Sequence, residues 1–343
     1  MKNKILNKNN LNGFIVALAK EQKVLAPVSK GYKSFVFEEV TDAKNISLKY
    51  IPTILPPKKY FMPQYETLVE YDITSEKARA VVESCAMVIF GVHTCDLAGI
   101  QCLNMVFAEK PKDANYLIKK SKAAIIGIEC NEYCDEYASC TMMGNHLPDG
   151  GYDLFFTDLG DYFIVAIHTQ LGDDLVTKTG LFTDVQPEHL KALKELREKK
   201  KKIFKNEVGL DKKEIENLFD KSFKSKVWDD LDNRCLACGN CTNVCPTCYC
   251  FDVVDEPNFD LKTGRRYRAW DSCQNEPFAK VAGGESFREK RGWRQRHRYY
   301  RKFKYPLTKY SKFFCTGCGR CSRTCMAQIN LKETLSFLKE ENK

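Results

Sequence analysis

The chain carries one cysteine spacing twice, and this repeat restricts what the surrounding region can fold into. The segments CLACGNCTNVCP, from Cys235 to Pro246, and CTGCGRCSRTCM, from Cys315 to Met326, both follow the pattern C-x2-C-x2-C-x3-C. In this pattern three cysteines hold three corners of a cubane iron–sulfur cluster, while the fourth cysteine binds the other cluster. The repeat therefore predicts two [4Fe-4S] clusters held by eight cysteines.

The same spacing predicts how the eight cysteines are divided between the clusters. Cluster one is expected to be bound by Cys235, Cys238, Cys241 and Cys325. Cluster two is expected to be bound by Cys315, Cys318, Cys321 and Cys245. Gly239, Gly317 and Gly319 would let the backbone wrap closely around the inorganic cores and point amides at sulfur. Zinc also binds C-x2-C steps, but zinc sites rarely repeat this longer pattern, so we favour iron.

About 70 residues separate the two motifs, and this distance bears on the fold of the cysteine-rich region. A compact bacterial ferredoxin has a much shorter connection, and the intervening segment looks partly helical. We therefore expect an α-helical ferredoxin-like domain. Pro246 follows the first motif as in other ferredoxins, whereas Met326 takes that place in the second, a change that affects packing more than ligation.

The remaining composition indicates a reducing compartment. The chain has 343 residues and 17 cysteines, an odd number that suits metal binding better than pairwise crosslinking. The segment before Val24 has only a short apolar run, Phe14 to Ala19, which we predict to lie in an amphipathic helix and not in a signal peptide. No stretch reaches the roughly 20 apolar residues of a membrane span, so we expect a soluble cytoplasmic protein.

The region before the motifs has the pattern of alternating strands and helices. Apolar runs at Ala86 to Val92 and Ala123 to Cys130 are typical of buried strands, and Asp96 to Phe107 between them is typical of a helix. This is a βαβ unit with parallel strands. Tyr152 to Thr157 and Tyr162 to His168, joined by a Gly-Asp turn, predict an antiparallel hairpin.

These patterns together predict an α+β protein with three parts. Residues 1–185 form an N-terminal α/β domain with the short βαβ unit and the hairpin. Residues 186–227 form a helical linker with helices near 190–204 and 212–223. Residues 228–343 form a mostly α-helical ferredoxin-like domain with the two [4Fe-4S] clusters.

A third cluster is a candidate for the N-terminal domain. Cys95 follows the first strand of the βαβ unit and Cys130 follows the second, so both lie at the same edge of the sheet. Cys134 and Cys140 come soon after Cys130, and four thiols at one place suffice for another [4Fe-4S] cluster. The alternative is that these four are ordinary thiols in a reducing cytoplasm.

Other cysteines fall outside these sets. Cys248, Cys250 and Cys273 form a trio that Asp271, His297 or an open coordination position could complete to a cluster site. Alternatively the trio packs near the two ferredoxin clusters and tunes them, which is the interpretation we favour. Cys85 and Cys102 have no companion at metal spacing, and we expect both to be packing residues.

A basic segment lies between the motifs. From Arg288 to Lys304 there are nine Lys or Arg and one Glu, interleaved with aromatic residues. Such a run suits a partner-facing surface, nucleic acid, or the compensation of negative charge around reduced clusters. We expect the basic stretch from Arg265 to Lys304 to be a docking surface for a protein partner and do not expect nucleic-acid binding.

The sequence also resembles a known family along nearly its whole length. The resemblance rests on RCLACGNCTNVCPTCYCFDVVDEPN, RRYRAWDSC, VAGGESFREK, HRYYRKF and CTGCGRCSRTC, and upstream on LPPKKYFMPQYETL, GVHTCDLAGI and GYDLFFTDL. These segments are similar to the beta subunit of cytoplasmic sulfhydrogenases and to the A subunit of anaerobic sulfite reductases. Relatives in this family have a C-x-C pair where this chain has Ala138, Ser139 and Cys140, and they lack Cys134, which could replace the missing ligand.

The resemblance implies an electron-transfer subunit without catalytic residues of its own. In such complexes FAD lies on a separate subunit that reacts with NAD(P)H, and another subunit, a sulfite reductase or a NiFe hydrogenase, is catalytic. No membrane partner is implied. Two alternatives remain at this point: a self-contained iron–sulfur reductase with an open cluster site, and an iron–sulfur protein that binds nucleic acid.

Overall fold

The computed structural model describes residues 2–206 and 208–342. The strands are β1 Lys2–Asn7, β2 Lys23–Ser29, β3 Phe35–Glu39, β4 Tyr65–Asp72, β5 Lys77–Ala80, β6 Met87–His93, β7 Ala123–Ile128, β8 Leu154–Asp158, β9 Tyr162–Ile167, β10 Thr183–Asp184, β11 Phe251–Pro257 and β12 Thr263–Trp270. The helices are α1 Leu11–Ala19, α2 Thr94–Phe107, α3 Ala114–Ser121, α4 Gln170–Thr179, α5 Pro187–Ile203, α6 Lys212–Lys221, α7 Val227–Arg234, α8 Asn240–Asn243, α9 Arg291–Phe303, α10 Tyr305–Tyr310, α11 Arg320–Arg323 and α12 Leu331–Glu341.

The larger sheet has the strand order β10-β1-β9-β8-β7-β6-β2-β3. Its centre is parallel, since β6 pairs with β2 and β7, and β7 pairs with β8, in parallel register. Every residue of β6 and β7 is buried, which explains why both strands are continuous apolar runs in the sequence. The predicted βαβ unit, β6-α2-β7, and the predicted hairpin, β8-β9, are both confirmed.

The N-terminal segment differs in part from its prediction. The expected helix is present as α1, but the residues before it form the strand β1, which pairs antiparallel with β9. Ile5 and Leu6 are the buried residues of this strand, and Leu6 lies opposite Phe163. Two apolar residues among lysines and asparagines do not give a strand signal, because the pairing partner is far away in sequence.

The smaller sheet joins two distant parts of the chain, in the order β11-β12-β4-β5. The hairpin β11-β12 lies between the two cysteine motifs, where the sequence indicated partly helical structure. Its strand β12 pairs antiparallel with β4, and buried Arg268 donates from Nε to Glu66 over 2.7 Å. The segment between the motifs is thus a hairpin followed by α9, and the hairpin packs on the N-terminal region.

Three apolar clusters form the core. Two lie on the faces of the larger sheet, one under α1 and α4 and the other under α2 and α3. The third is built by the C-terminal helices and includes Trp228, Tyr299 and Leu335. Both helices expected near residues 190–223 are present as α5 and α6, and α6 packs Ile215 and Phe219 into this third cluster. Across residues 2–206 and 208–342, every helix is too short or too polar to cross a bilayer.

Candidate iron–sulfur centres

The two motif loops have the same backbone geometry. Gly239 and Gly319 have φ values of 74° and 73°, and each is followed by a four-residue helix, α8 or α11. At the position two residues earlier, Ala237 and Gly317 also have positive φ, 52° and 71°. This left-handed conformation favours glycine and turns the chain tightly around a centre. The expected role of the three motif glycines in wrapping the backbone agrees with this geometry.

One cavity lies inside the first motif. Its wall contains the four cysteines expected for cluster one, Cys235, Cys238, Cys241 and Cys325, together with Cys321. Nitrogen donors point at the sulfurs: Gln295 donates from Nε2 to Cys235 Sγ over 3.1 Å, and the Ala237 amide donates to the same sulfur over 3.4 Å. The Ile329 amide donates to Cys325 Sγ over 3.3 Å. Hydrogen bonds to sulfur are the interactions by which proteins hold and tune iron–sulfur clusters.

A second cavity lies inside the second motif. Its wall contains the four cysteines expected for cluster two, Cys245, Cys315, Cys318 and Cys321. The loop is pressed against the N-terminal region, since the Ser139 amide donates to the Gly317 carbonyl over 2.8 Å. A Cβ on Gly317 would lie 2.4 Å from the Ser139 backbone, so no larger residue fits there. The two motifs are also tied together, because Asn240 donates from Nδ2 to the Thr324 carbonyl over 2.8 Å.

The arrangement of the thiols fits clusters better than single ions. In the described part of the chain, no three His, Cys, Asp or Glu side chains converge where one metal ion could be held. A tetrahedral zinc site with Zn–S bonds of about 2.3 Å would bring its thiolates to about 3.8 Å from one another. A cubane offers a separate iron to each cysteine, so its ligands surround a cavity, as these cysteines do.

Buried positive charge accompanies the cavities. Arg298 lines both of them, is 5% exposed, and has no carboxylate partner among the ion pairs of residues 2–206 and 208–342. Burial acts to lower the pKa of Arg298, but the neighbouring Cys241 and Cys321 raise it well above its usual value. The Arg298 guanidinium therefore faces the cysteines of both motifs and no carboxylate of the described residues.

This finding limits which residues of the basic segment could belong to a docking surface. Arg294, Arg298 and Lys302 lie on the inner face of α9 and are 4%, 5% and 5% exposed. These three side chains cannot contact a partner there, whereas Lys290 and Arg291 are exposed, so the docking surface stays a prediction for the rest of the segment. Of the three uses considered for the segment, compensation of negative charge around the clusters agrees with the positions of Arg298 and Lys302.

The four N-terminal cysteines lie in one region but do not all line one cavity. Cys130 and Cys134 open into a cavity of about 320 Å³ beside His93 and Tyr50, whereas Cys95 and Cys140 are not part of its wall. Burial raises the pKa of Cys140, and Cys130 adds to this rise. Burial also raises the pKa of Cys95, with further contributions from Cys318 and Cys130. The third cluster thus stays a prediction, and Cys95 lies close to both Cys130 and Cys318 of the second motif.

Cys85 and Cys102, the two cysteines expected to be packing residues, differ in burial. Cys102 is fully buried and donates from Sγ to the Phe313 carbonyl over 3.6 Å, which confirms its packing role. Cys85 is exposed, so the same expectation is wrong for it. Its position just before β6 lies outside the core, although the adjacent apolar run made burial plausible.

Some residues of the site have only a weak signal in the sequence. Gln295 and Arg298 lie in a segment whose charge pattern resembles a surface helix. Arg320, inside the second motif, forms a bidentate ion pair with Asp96 and donates from Nε to the Thr53 carbonyl over 2.7 Å. The helical period places Gln295 and Arg298 on one face of α9, and this spacing is the signal that could have indicated an inward role.

Comparison with known proteins agrees with the geometry. Residues 234–329 match the family model for a 4Fe-4S dicluster domain, which defines the chain as a [4Fe-4S] protein. Sulfhydrogenase 2 subunit beta of Pyrococcus furiosus is 37% identical over 328 residues, which is 95% of each chain. The chain belongs to the family of this sulfhydrogenase beta subunit, and the resemblance found in the sequence is confirmed.

Proposed function

We propose that this chain is an electron-transfer subunit of a cytoplasmic hydrogenase-type complex, in which its [4Fe-4S] clusters relay electrons. FAD lies on a partner that reacts with NAD(P)H, and a second partner, a NiFe hydrogenase or a sulfite reductase, carries out catalysis. The relative's name, sulfhydrogenase, favours the hydrogenase partner. Bound clusters supply one-electron chemistry, while the side chains of this chain hold them and set their potentials.

One observation carries this proposal: the two cavities share a wall. Cys321 lines both of them, and Arg298 lies between them. Two one-electron carriers in these cavities would be direct neighbours, which is the arrangement that a relay requires. The ligands are proposed as Cys235, Cys238, Cys241 and Cys325 for cluster one and Cys315, Cys318, Cys321 and Cys245 for cluster two.

The ends of the relay follow from exposure and proximity. Cys238 is exposed, and its neighbours Leu236 and Met326 are 61% and 82% exposed, so cluster one would exchange electrons at this surface. At the other end, Cys318 of cluster two lies near Cys95 of the N-terminal group. A third cluster bound by Cys95, Cys130, Cys134 and Cys140 would extend the relay into the N-terminal region.

The test uses the assembled complex with the Cys245→Ser variant, and Cys102→Ser as the control. Cys245→Ser should abolish NAD(P)H-linked turnover while turnover of the catalytic partner with an artificial donor stays unchanged. The buried Cys102 lies outside both cavities, so its variant should keep both activities. Retained NAD(P)H-linked turnover in Cys245→Ser would contradict the relay.

One observation favours a second candidate, a self-contained reductase. The cavity beside Cys130 and Cys134 is open and about 320 Å³ in volume, large enough for a small substrate. This candidate predicts that the isolated chain, reduced by dithionite, turns over sulfite or protons without partners. The relay predicts no turnover in that assay.

A further inference from the structure

A third thiol-lined cavity lies beside the two ferredoxin motifs. It measures about 380 Å³, and its lining includes Cys248, Cys250, Cys273 and His297. The hairpin places two of these residues, because Cys250 directly precedes β11 and Cys273 follows β12. Phe251 lies opposite Trp270 in the register of this hairpin, so the chain enters β11 and leaves β12 at the same end of the sheet.

Neighbouring groups donate hydrogen bonds to all three cysteines, to the backbone carbonyl of two and to the sulfur of the third. The Asp271 amide donates to the Cys250 carbonyl over 3.0 Å, and Gln274 donates from Nε2 to Cys273 Sγ over 3.4 Å. Lys58 donates from Nζ to the Cys248 carbonyl over 2.7 Å. A hydrogen bond from a side-chain amide to sulfur also occurs in the first ferredoxin cavity, where Gln295 plays this part.

Buried positive charge without a carboxylate partner points to an anion in this region. Lys58 and Lys302 are 3% and 5% exposed, and neither belongs to an ion pair with a carboxylate among the described residues. Other buried lysines are paired, as Lys200 is with Glu129 over 2.6 Å. An uncompensated buried charge is costly, so the region needs a negative group. Both lysines lie near Cys245 and Cys248, where the first motif meets the trio.

We propose that Cys248, Cys250 and Cys273 bind a further iron–sulfur cluster in this cavity, with one iron held by a group other than cysteine. Three thiolates give such a cluster a net negative charge, which would offset the positive charge of Lys58 and Lys302. The cavity adjoins Cys245, through Cys248 and Thr247, so the cluster would lie next to cluster two. This site goes beyond the two clusters of the proposed relay and requires neither partner.

The experiment is iron and acid-labile sulfide analysis on the anaerobically purified full chain. The Cys250→Ser/Cys273→Ser double variant should lose about four irons per chain relative to the wild type. The control Cys102→Ser should lose none. Unchanged iron in the double variant would overturn the proposal, as would a disulfide between Cys250 and Cys273 in the iron-replete wild type.

Low-temperature EPR distinguishes loss of the proposed further cluster from loss of the two ferredoxin clusters. The double variant should keep the two dithionite-reduced signals that disappear in Cys325→Ser and Cys245→Ser. Where the double variant does not fold, Mössbauer spectra of the wild type decide the question. An iron site with parameters unlike those of all-cysteine clusters is expected, and its absence would overturn the proposal.

Discussion

Arg320 and Asp96 form a bidentate ion pair in the interior, with guanidinium-to-carboxylate distances of 2.6 and 2.8 Å. Arg320 lies between Cys318 and Cys321, two of the ligands proposed for cluster two, and Asp96 lies next to Cys95 at the start of α2. Their side chains are 1% and 0% exposed. The pair therefore fixes the second motif to the N-terminal sheet region.

Breaking this pair should strongly destabilise the fold. Asp96→Asn leaves the Arg320 guanidinium buried with its charge uncompensated, and we expect a loss of about 3 to 5 kcal/mol in the free energy of unfolding. The control is Asp230→Asn, whose partner Arg234 is on the surface, with an expected loss below about 1 kcal/mol. Anaerobic guanidinium unfolding measures both, and equal losses would contradict the structural role of the pair.

Gly317 should not tolerate a side chain. An alanine there would have its Cβ 2.4 Å from the Ser139 backbone, in a left-handed conformation with φ of 71°. We expect Gly317→Ala to cost about 2 kcal/mol or more and to lower the iron content of cluster two. Gly283→Ala is the control, because no atom lies within 4 Å of the added Cβ. Wild-type stability and iron content in Gly317→Ala would show that the loop can move away.

Arg298 should raise the potentials of both ferredoxin clusters. Reduction adds negative charge, which a buried guanidinium between the cavities stabilises, so Arg298→Gln should lower both midpoint potentials. Arg296→Gln is the matched control on the same helix, since Arg296 stacks on the Phe223 ring at 3.9 Å. An EPR-monitored redox titration compares the two variants. Equal potentials in Arg298→Gln and the wild type would contradict this role.

Gln295 should act on cluster one alone. Its amide donates to Cys235 Sγ, and Gln295→Leu removes this hydrogen bond while keeping a side chain of similar size. The midpoint potential of cluster one should fall because the reduced sulfur loses a donor, while that of cluster two stays the same. A titration in which both potentials shift together would indicate a general change in packing.

The sequence predicts the elements whose signals are local. The buried strands β6 and β7 and the cysteine motifs are visible because apolar runs and ligand spacings are short-range patterns. The smaller sheet is not predictable in this way, since β4 and β12 meet across almost two hundred residues. Arg298 looks like a surface charge in the sequence, because only the folded helix shows that it faces thiols and not water.

The most direct test of the relay is iron, sulfide and EPR analysis of two ligand variants, Cys325→Ser and Cys245→Ser. Each variant should lose one dithionite-reducible [4Fe-4S] signal and keep the other, because in the proposed assignment each motif supplies its fourth cysteine to the opposite cluster. Loss of the signal belonging to its own motif in each case would contradict the crossed ligand assignment. Purified wild-type protein that contains zinc and no iron would contradict the whole account.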